Sequence, residues 1–255
     1  MLIPRVIPCL LVMEGAMVKT RRFRKPSYIG DPLNVISLFN GFEVDEIVLL
    51  DIRASVNGTP PDFGLIQELA EHCWVPLTYG GGIRSLDMIE KIILSGVEKV
   101  VLNSVLADNL AFASDAAREF GSSAVVAAVD AQKRRFGGYD VVVESGRRRL
   151  NVVPAMRARQ LADAGVGEIF LNAVDRDGER SGFDLPLIGE VTCAVDVPVV
   201  ACGGAGSRAE IADPILKAGA SATAAGSLFV QQGESRAVLV NFPERRELES
   251  ILIGH

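Results

Sequence analysis

The sequence predicts an α/β fold, a single (β/α)8 barrel domain assembled from two duplicated half-barrels of about residues 1–120 and 121–255. Three observations predict it: an internal repeat, a regular alternation of apolar runs with helical stretches, and the length of 255 residues. One barrel of eight βα units is typically complete at about 250 residues. The chain therefore has the length of one such domain.

The repeat consists of four pairs of similar segments at a nearly constant distance. VDEIVLLDI at 44–52 matches VGEIFLNAV at 166–174, and VPLTYGGGI at 75–83 matches VPVVACGGA at 197–205; both offsets are 122 residues. GVEKVVLNSVL and GASATAAGSLF have an offset of 123, and VIPCLL and VVAAVD one of 119. Self-similarity in a fixed order indicates duplication of a structural unit.

Each unit alternates short β-branched runs with stretches whose apolar residues have helical spacing, such as Ile66, Leu69 and Ala70. Strands are expected near 5–12, 46–51, 75–79, 99–103, 124–130, 168–173, 197–202 and 222–226. Helices are expected near 32–42, 62–73, 86–95, 154–164, 185–194, 207–218 and 234–250. Continuous apolar strands with helix-length connections predict a parallel sheet covered by helices. Because proline disturbs a central strand, we expect a local bulge at Pro8.

Three features separate this fold and its function from alternatives. An open doubly wound sheet is disfavoured, because no GxGxxG motif follows the first strand. A net charge of −6 argues against nucleic-acid binding, which requires a basic face. Four cysteines without CxxC spacing and only two histidines give no zinc motif, and we expect no metal and no cofactor.

The apolar start of the chain is interpreted as a first strand and not as a signal peptide. It is interrupted by Arg5 and two prolines and lacks a small-residue cleavage pattern. No run approaches the roughly 20 apolar residues of a membrane helix. We therefore expect a cytoplasmic protein that does not bind a membrane.

Two glycine clusters follow equivalent strands of the two halves. GGGI follows the third strand and CGGAG the seventh, and a small polar pair comes one strand later in each half: Asn103–Ser104 and Gly226–Ser227. Active sites of these barrels lie at the carboxyl ends of the strands, where bare backbone amides at a helix start bind anions. The alternative is that the glycines only permit tight turns. Two anion sites at one barrel mouth predict a bisphosphate ligand.

Carboxylates and a basic segment are the other candidates at these strand ends. Asp51 and Asp130 end strands, and Asp130 follows five apolar residues, so it is the candidate for acid–base chemistry. Asp177 with Gly178, in DRDGERSG after the sixth strand, also has the pattern of an ordinary turn. KTRRFRKP is expected to be a long loop, either solvated or a lid that brings Lys19 to an anionic ligand.

These residues together resemble the cyclase subunit of imidazole glycerol phosphate synthase, the HisF family. The resemblance covers nearly the whole chain and is carried by RVIPCLLV, GDPLN, DEIVLLDIRAS, PLTYGGGI, GVEKVVLNS, AVVAAVDA, GVGEIFLNAVDRDGERSGFD and ACGGAG. It implies a TIM barrel that takes ammonia from a class I glutaminase docked at its N-terminal face. The ammonia would travel through the barrel to a bisphosphorylated ribulosyl nucleotide, which is cleaved and cyclised to imidazole glycerol phosphate and an aminoimidazole carboxamide ribotide.

The resemblance also implies roles for individual residues. One phosphate would be held by Gly82, Asn103 and Ser104; the other would be held by Asp177, Gly178, Gly204, Gly226 and Ser227. Lys19 and Asp51 would line the site. A ring of charges that gates ammonia would consist of Arg5, Glu46, Lys99 and Glu168. Each of these charges falls at the start of an apolar strand, where two acids and two bases would compensate one another.

The chain departs from the family at the floor of the site. The family's cyclase pairs two aspartates, at the ends of the first and fifth strands; Asp130 fills the second position, but Leu11 fills the first and cannot exchange a proton. Glu14, three residues further along, is a poor geometric substitute. Asn172 and Cys202 stand where hydroxyl side chains are expected.

A subgroup of the family in polysaccharide gene clusters resembles the chain closely, down to KTxxFxxPxYxGDP and ACGGAGS. There the barrel and its glutaminase are thought to supply ammonia to a separate amidotransferase that makes acetamidino sugars. The loss of one aspartate fits this role, with cyclase chemistry altered or lost. The alternatives are a working cyclase-lyase of histidine biosynthesis and the related phosphoribosyl isomerase barrel, which should not need the charged ring.

Overall fold

Eight parallel strands close into a barrel in the computed structural model, which describes residues 3–253. The strands are β1 (Arg5–Met13), β2 (Ala16–Arg21), β3 (Arg24–Gly30), β4 (Ile47–Asp51), β5 (Leu77–Gly80), β6 (Lys99–Leu102), β7 (Val125–Lys133), β8 (Tyr139–Val143), β9 (Arg148–Arg149), β10 (Glu168–Ala173), β11 (Val199–Cys202), β12 (Ala222–Ala225), β13 (Gln231–Gln232) and β14 (Ala237–Val238). The barrel order is β1-β4-β5-β6-β7-β10-β11-β12, and β12 pairs in parallel with β1. The predicted fold class is confirmed. The duplication and the domain limits of 1 and 255, which extend beyond the described residues, stay predictions.

Helices follow the barrel strands and cover the outside of the barrel. They are α1 (Pro32–Gly41), α2 (Ala54–Asn57), α3 (Phe63–His72), α4 (Leu86–Leu94), α5 (Val105–Asp108), α6 (Ala111–Phe120), α7 (Pro154–Asp163), α8 (Leu185–Thr192), α9 (Asp213–Ala218), α10 (Ser227–Val230) and α11 (Arg245–Ile253). Side-chain caps fix several starts: Asp31, Asp62 and Ser85 accept hydrogen bonds from the first-turn amides of α1, α3 and α4. No helix within residues 3–253 is long and apolar enough to cross a membrane.

The buried side chains form two separate clusters because strand residues alternate between the two faces of the barrel wall. In β1, Val6 and Leu10 join the outer cluster, between wall and helices, whereas Ile7, Cys9 and Leu11 join the inner cluster. The inner cluster is made of apolar side chains and the two buried thiols. The barrel axis is therefore a packed, apolar core.

The helix predicted over 234–250 is wrong in its first half. Residues 231–238 form the hairpin of β13 and β14, and the helix begins only at Arg245. Gly233, with φ +69°, and Arg236, with φ +55°, adopt left-handed backbone that a helix does not contain. The helix predicted over 207–218 is also divided, into a 3₁₀ turn at Ala209–Ala212 and α9, because a proline at position 214 opens a new helix.

The bulge predicted at Pro8 is absent from the register of β1. Arg5 to Pro8 pair with β12, and Cys9 to Val12 pair with β4, without a shift. Because Pro8 is the last residue in the register with β12, its missing N–H falls where the strand changes partner. The strand stays regular there.

The basic segment 19–26, predicted to be a long loop, belongs to a β-hairpin. β1 turns back into β2 through Glu14 and Gly15, with φ values of +53° and +76°, as a two-residue hairpin turn requires. β3 then pairs with β2. β7 and β8 form a second antiparallel hairpin, in which the chain of β7 turns back on itself. Both hairpins rise from the carboxyl end of the barrel, beside the predicted site.

Candidate active site

The carboxyl ends of the strands enclose a cavity of about 670 Å³. Cavities of this size bind small molecules. Its lining includes predicted residues from both halves of the chain, namely Lys19, Asp51, Gly82, Asn103, Ser104, Asp130, Asp177 and Gly226. The fold thus brings together side chains that are more than 150 residues apart.

A second cavity of about 20 Å³ adjoins the first and shares Asp177, Cys202 and Gly226 with it. The remaining predicted residues of the second phosphate group line it: Gly178, Gly204 and Ser227. Two of its buried polar atoms, Ser227 Oγ and Arg180 Nε, have no hydrogen-bond partner within the described chain. Buried donors require an acceptor, and an anion in this cavity would provide one. Arg180 was missed by the sequence reasoning, because its guanidinium reaches the cavity only through the fold of the loop after β10.

The two glycine clusters lie where another backbone segment passes too close to leave room for a side chain. A Cβ on Gly204 would lie 2.2 Å from the carbonyl oxygen of Gly182, and one on Gly82 would lie 2.9 Å from that of Thr59. Both glycines have positive φ. The amide of Gly82 donates to Ser55 Oγ at 3.2 Å, and Ser55 also lines the large cavity. Ser55, which the sequence reasoning missed, therefore lies beside this amide in the cavity lining.

Asn103 and Ser104 are tied to the second half of the barrel. Asn103 Nδ2 donates to Asp130 Oδ2 at 2.7 Å, and the amide of Glu144 donates to Ser104 Oγ at 3.2 Å. The turn after β8 thereby closes this side of the cavity, where Arg147 forms part of the lining. The run GRRR was a signal for it, but only the fold shows which arginine faces the site.

Asp130 is a buried carboxyl group, 8% exposed, at the cavity wall. Burial raises its pKa to about 7; the hydrogen bond from Asn103 opposes this effect, and the charge of Asp177 adds to it. Both protonation states are therefore populated near neutral pH. Such a group can donate and accept protons during catalysis.

Lys19 lines the cavity with its charge already paired. Its Nζ lies 2.8 Å from Asp177 Oδ1, and both residues are buried. Thr20 Oγ1 also donates to Asp177 at 3.3 Å, and the amide of Arg22 donates to the Asp177 carbonyl at 2.9 Å. The first hairpin is thus fastened to the loop after β10.

Leu11 lies in the cavity wall, 8% exposed, and among residues 3–253 no carboxylate takes the place of the expected aspartate. Glu14 is in the hairpin turn, exposed, and outside the described lining of the cavity. Asp51 Oδ1 accepts from the amides of Arg53 and Ala54 at 2.8 and 2.9 Å, which fixes the turn into α2.

Two other departures from the family pattern lie in the same wall. Asn172 is beside Asp130 in the register of β10 and β7. Cys202 is a hydrogen-bond partner of Cys9, and this contact together with burial raises the pKa of the Cys202 thiol. Cys202 is therefore a neutral thiol at neutral pH.

The four charges predicted at the strand starts meet at the opposite end of the barrel, and we call them the charged ring: Arg5, Glu46, Lys99 and Glu168. Arg5 binds both glutamates, and Lys99 Nζ lies 2.9 Å from Glu46 and 3.4 Å from Glu168. Thr78 Oγ1 also donates to Glu46 at 2.6 Å, a member that the sequence reasoning missed. Burial acts to raise the pKa of Glu46, but Thr78, Lys99 and Arg5 outweigh it, so the net shift is downward.

Comparisons with known proteins identify the family of the chain. A family model described as histidine biosynthesis protein matches residues 5–234. A putative imidazole glycerol phosphate synthase subunit hisF2 of Pseudomonas aeruginosa is 47% identical over 96% of this chain and 98% of its own length. A putative HisF subunit of Leptospira interrogans is 41% identical over 98% of the chain and 99% of its own length. The imidazole glycerol phosphate synthase subunit HisF of Alkaliphilus metalliredigens is 41% identical over 90% of the chain and 91% of its own length.

Proposed function

Because the chain belongs to the histidine biosynthesis protein family, as a subunit of the HisF type, we propose that it receives ammonia from a glutaminase and conducts it through the barrel to a phosphate-binding cavity. One observation carries this proposal: the charged ring, the apolar interior and the cavity follow one another along the barrel. The ligand of the cavity is a bisphosphorylated, nucleotide-like molecule.

The barrel interior supports passage of a small neutral molecule. Above the charged ring, the inner cluster presents Ile7, Val48, Val101 and Phe170, and it ends at the cavity with Leu11. Burying an isolated ammonium ion among such side chains is costly, whereas neutral ammonia carries no net charge. The ring separates this interior from solvent and is the gate in our proposal.

The amino-terminal face supports docking of a class I glutaminase. Three large apolar side chains are exposed where helices return to the strands: Phe42 after α1, Trp74 after α3, and Leu94 at the end of α4. Trp74 is 83% exposed and Leu94 79%. The amide of Trp74 donates to Asn40 Oδ1 at 3.0 Å, which holds this position against α1. Anchored aromatic residues of this kind are frequent hot spots of protein interfaces.

The site also supports a role as ammonia supplier with altered or lost cyclase chemistry. Asp130 has no acid–base partner at the end of β1, because Leu11 occupies that place, while Asp177 is paired with Lys19 and Asp51 caps a turn. We propose that the ammonia serves a separate sugar amidotransferase in surface polysaccharide biosynthesis. The protein would then act in the cytoplasm.

A working cyclase-lyase of histidine biosynthesis is the second candidate. It is favoured by the pKa of about 7 at Asp130 and by the presence of both glycine clusters at the cavities. The third alternative, a phosphoribosyl isomerase, shares these glycine clusters. It receives no ammonia, however, and so gives no reason for the charged ring.

Turnover of the histidine-pathway nucleotide with ammonium as nitrogen source separates the two candidates. General acid–base assistance contributes about 10²–10⁴-fold, so the parent chain should be at least roughly 100-fold slower than a relative with aspartate at both positions. Leu11→Asp should recover part of the rate, and Asp130→Asn should abolish the remainder. The coupling to glutaminase should survive in Asp130→Asn, because the charged ring is at the other end. Equal turnover of the parent and the two-aspartate relative would show that Leu11 costs nothing, and the supplier role would lose its main support.

A further inference from the structure

The mouth of the barrel carries three hairpin tips; the first borders the large cavity, and the other two line neither cavity. They are residues 22–25, where β2 turns into β3, residues 134–138 between β7 and β8, and residues 233–239 around β14. We propose that these tips, the hairpin platform, form the docking surface for the enzyme that consumes the ammonia leaving the barrel. This inference rests on the proposed function, since it assumes that ammonia leaves at this end.

All three hairpins are fastened to the same loop, residues 174–184, which follows β10. The amide of Arg22 donates to the Asp177 carbonyl at 2.9 Å, and the amide of Lys133 donates to Asp175 Oδ2 at 2.6 Å. Arg236 donates to the carbonyl of Gly178, and Arg180 Nη1 donates to that of Gly233 at 3.2 Å. The platform is therefore held in place before a partner arrives, which lowers the cost of binding.

Large apolar side chains are exposed on the platform. Phe136 is 94% exposed at the tip of the second hairpin, and Val238 and Leu239 are 49% and 46% exposed beside the third. None of the three lines a cavity. A small ligand in the site therefore does not account for them, whereas aromatic and apolar side chains on a raised surface are typical anchors of a protein interface.

The charge of the platform indicates an acidic partner. Arg24, Lys25 and Arg135 are exposed, and they form no ion pair within residues 3–253. The guanidinium of Arg135 lies 5.7 Å from the ring centre of Phe136, so cationic and aromatic surface are presented together. The chain as a whole has a net charge of −6. An acidic protein surface is thus attracted to this face and repelled by much of the remaining molecule.

The position of the hairpin platform at the cavity opening indicates which kind of partner binds it. The large cavity opens beside the first tip, since Phe23, Arg24 and Lys25 line it. Ammonia that leaves there is lost to solvent unless its acceptor covers the opening. An enzyme that amidates a sugar and presents acidic residues around an apolar pocket fits both the position and the chemistry of the platform.

The test compares Arg135→Glu/Phe136→Ala with the matched pair Leu216→Ala/Lys217→Glu. Leu216 is 61% exposed and the Lys217 side chain 60%, on α9 at the outside of the barrel. Each variant is combined with the cognate glutaminase and the purified sugar amidotransferase of the same organism. Glutamine-dependent and ammonium-dependent amidation of the sugar are measured, together with sedimentation of the mixture at low and high salt.

The platform variant should lose about thirtyfold or more in glutamine-dependent amidation and should no longer co-sediment with the amidotransferase, as expected for a hot-spot change of about 2 kcal/mol. Ammonium-dependent amidation, binding of the glutaminase and the α9 control should be unchanged. A platform variant that behaves like the parent overturns the docking proposal alone. A parent dimer that the variant abolishes also overturns it, because the platform would then bind a second copy. A parent complex without glutamine-dependent amidation overturns the proposed function and the docking proposal together.

Discussion

At the scale of single residues, the burial of Asp130 determines both the chemistry and the stability of the site. Its folded-state pKa is raised from 3.8 to about 7. The folded protein therefore binds more protons than the unfolded chain between about pH 4 and 7, and the stability contributed by this group is lost as the pH rises through that window. The ionised carboxyl group of Asp130 therefore destabilises the fold near neutral pH, where the group could exchange protons in catalysis.

This cost predicts a pH-dependent effect of Asp130→Asn. The stability of the variant relative to the parent should increase from pH 4 to pH 8 by up to about 4 kcal/mol, the equivalent of the pKa shift. Urea unfolding across that range measures it. Asp163→Asn, at an exposed position on α7, is the control and should show no such trend. A pH-independent difference for Asp130→Asn would contradict the buried, shifted carboxyl.

Single residues also show how far the sequence is informative. The four charges of the ring were predicted from the resemblance to the HisF family, and the structure brings them together. Their positions at the starts of apolar strands agree with this prediction, because a lone buried charge is costly. Thr78, Ser55 and Arg180 could not be predicted, because each is placed by a hydrogen bond to a distant segment. Their residue types carry no local signal of those contacts.

At the scale of elements, the barrel strands were predictable because each is a continuous apolar run in a repeated order. The segment 234–250 was misinterpreted because its apolar residues also fit helical spacing. The turn at Gly233 and the contact of Arg236 with the loop after β10 decide its structure in favour of a hairpin. That contact joins positions 58 residues apart, so the spacing of apolar residues within the segment could not predict it.

The glycine turn after β11 predicts a steric effect that can be separated from backbone strain. In Gly204→Ala the new Cβ meets the Gly182 carbonyl oxygen at 2.2 Å, so the two loops must move apart. Gly137→Ala is the matched control: its φ is also positive, but nothing lies within 4 Å of the new Cβ. Unfavourable φ costs about 1–3 kcal/mol in both. Gly204→Ala should therefore lose more stability than Gly137→Ala in urea unfolding, and equal losses would contradict the close approach.

At the scale of the whole molecule, the barrel has different chemistry at its two ends and an apolar column between them. Acids and bases are neutralised within the charged ring at one end, and the cavity with its glycine turns opens at the other. The inner cluster joins them and is packed separately from the outer one. A substitution in the inner cluster should therefore affect the apolar column between the two ends, whereas the same substitution in the outer cluster should not.

This difference predicts that Ala222→Leu blocks ammonia and Ala113→Leu does not. Both alanines are fully buried, Ala222 in the inner cluster and Ala113 in the outer one. Each added side chain overpacks its surroundings at a cost of about 1–3 kcal/mol, so a similar loss of stability is expected in the two variants. Only the inner one narrows the proposed ammonia route between Glu46 and Asp130. The ratio of glutamine-dependent to ammonium-dependent amidation of the sugar is measured in the complex with glutaminase. This ratio should fall in Ala222→Leu and stay at the parent value in Ala113→Leu. An unchanged ratio in Ala222→Leu would mean that ammonia reaches the cavity by a path other than the barrel axis.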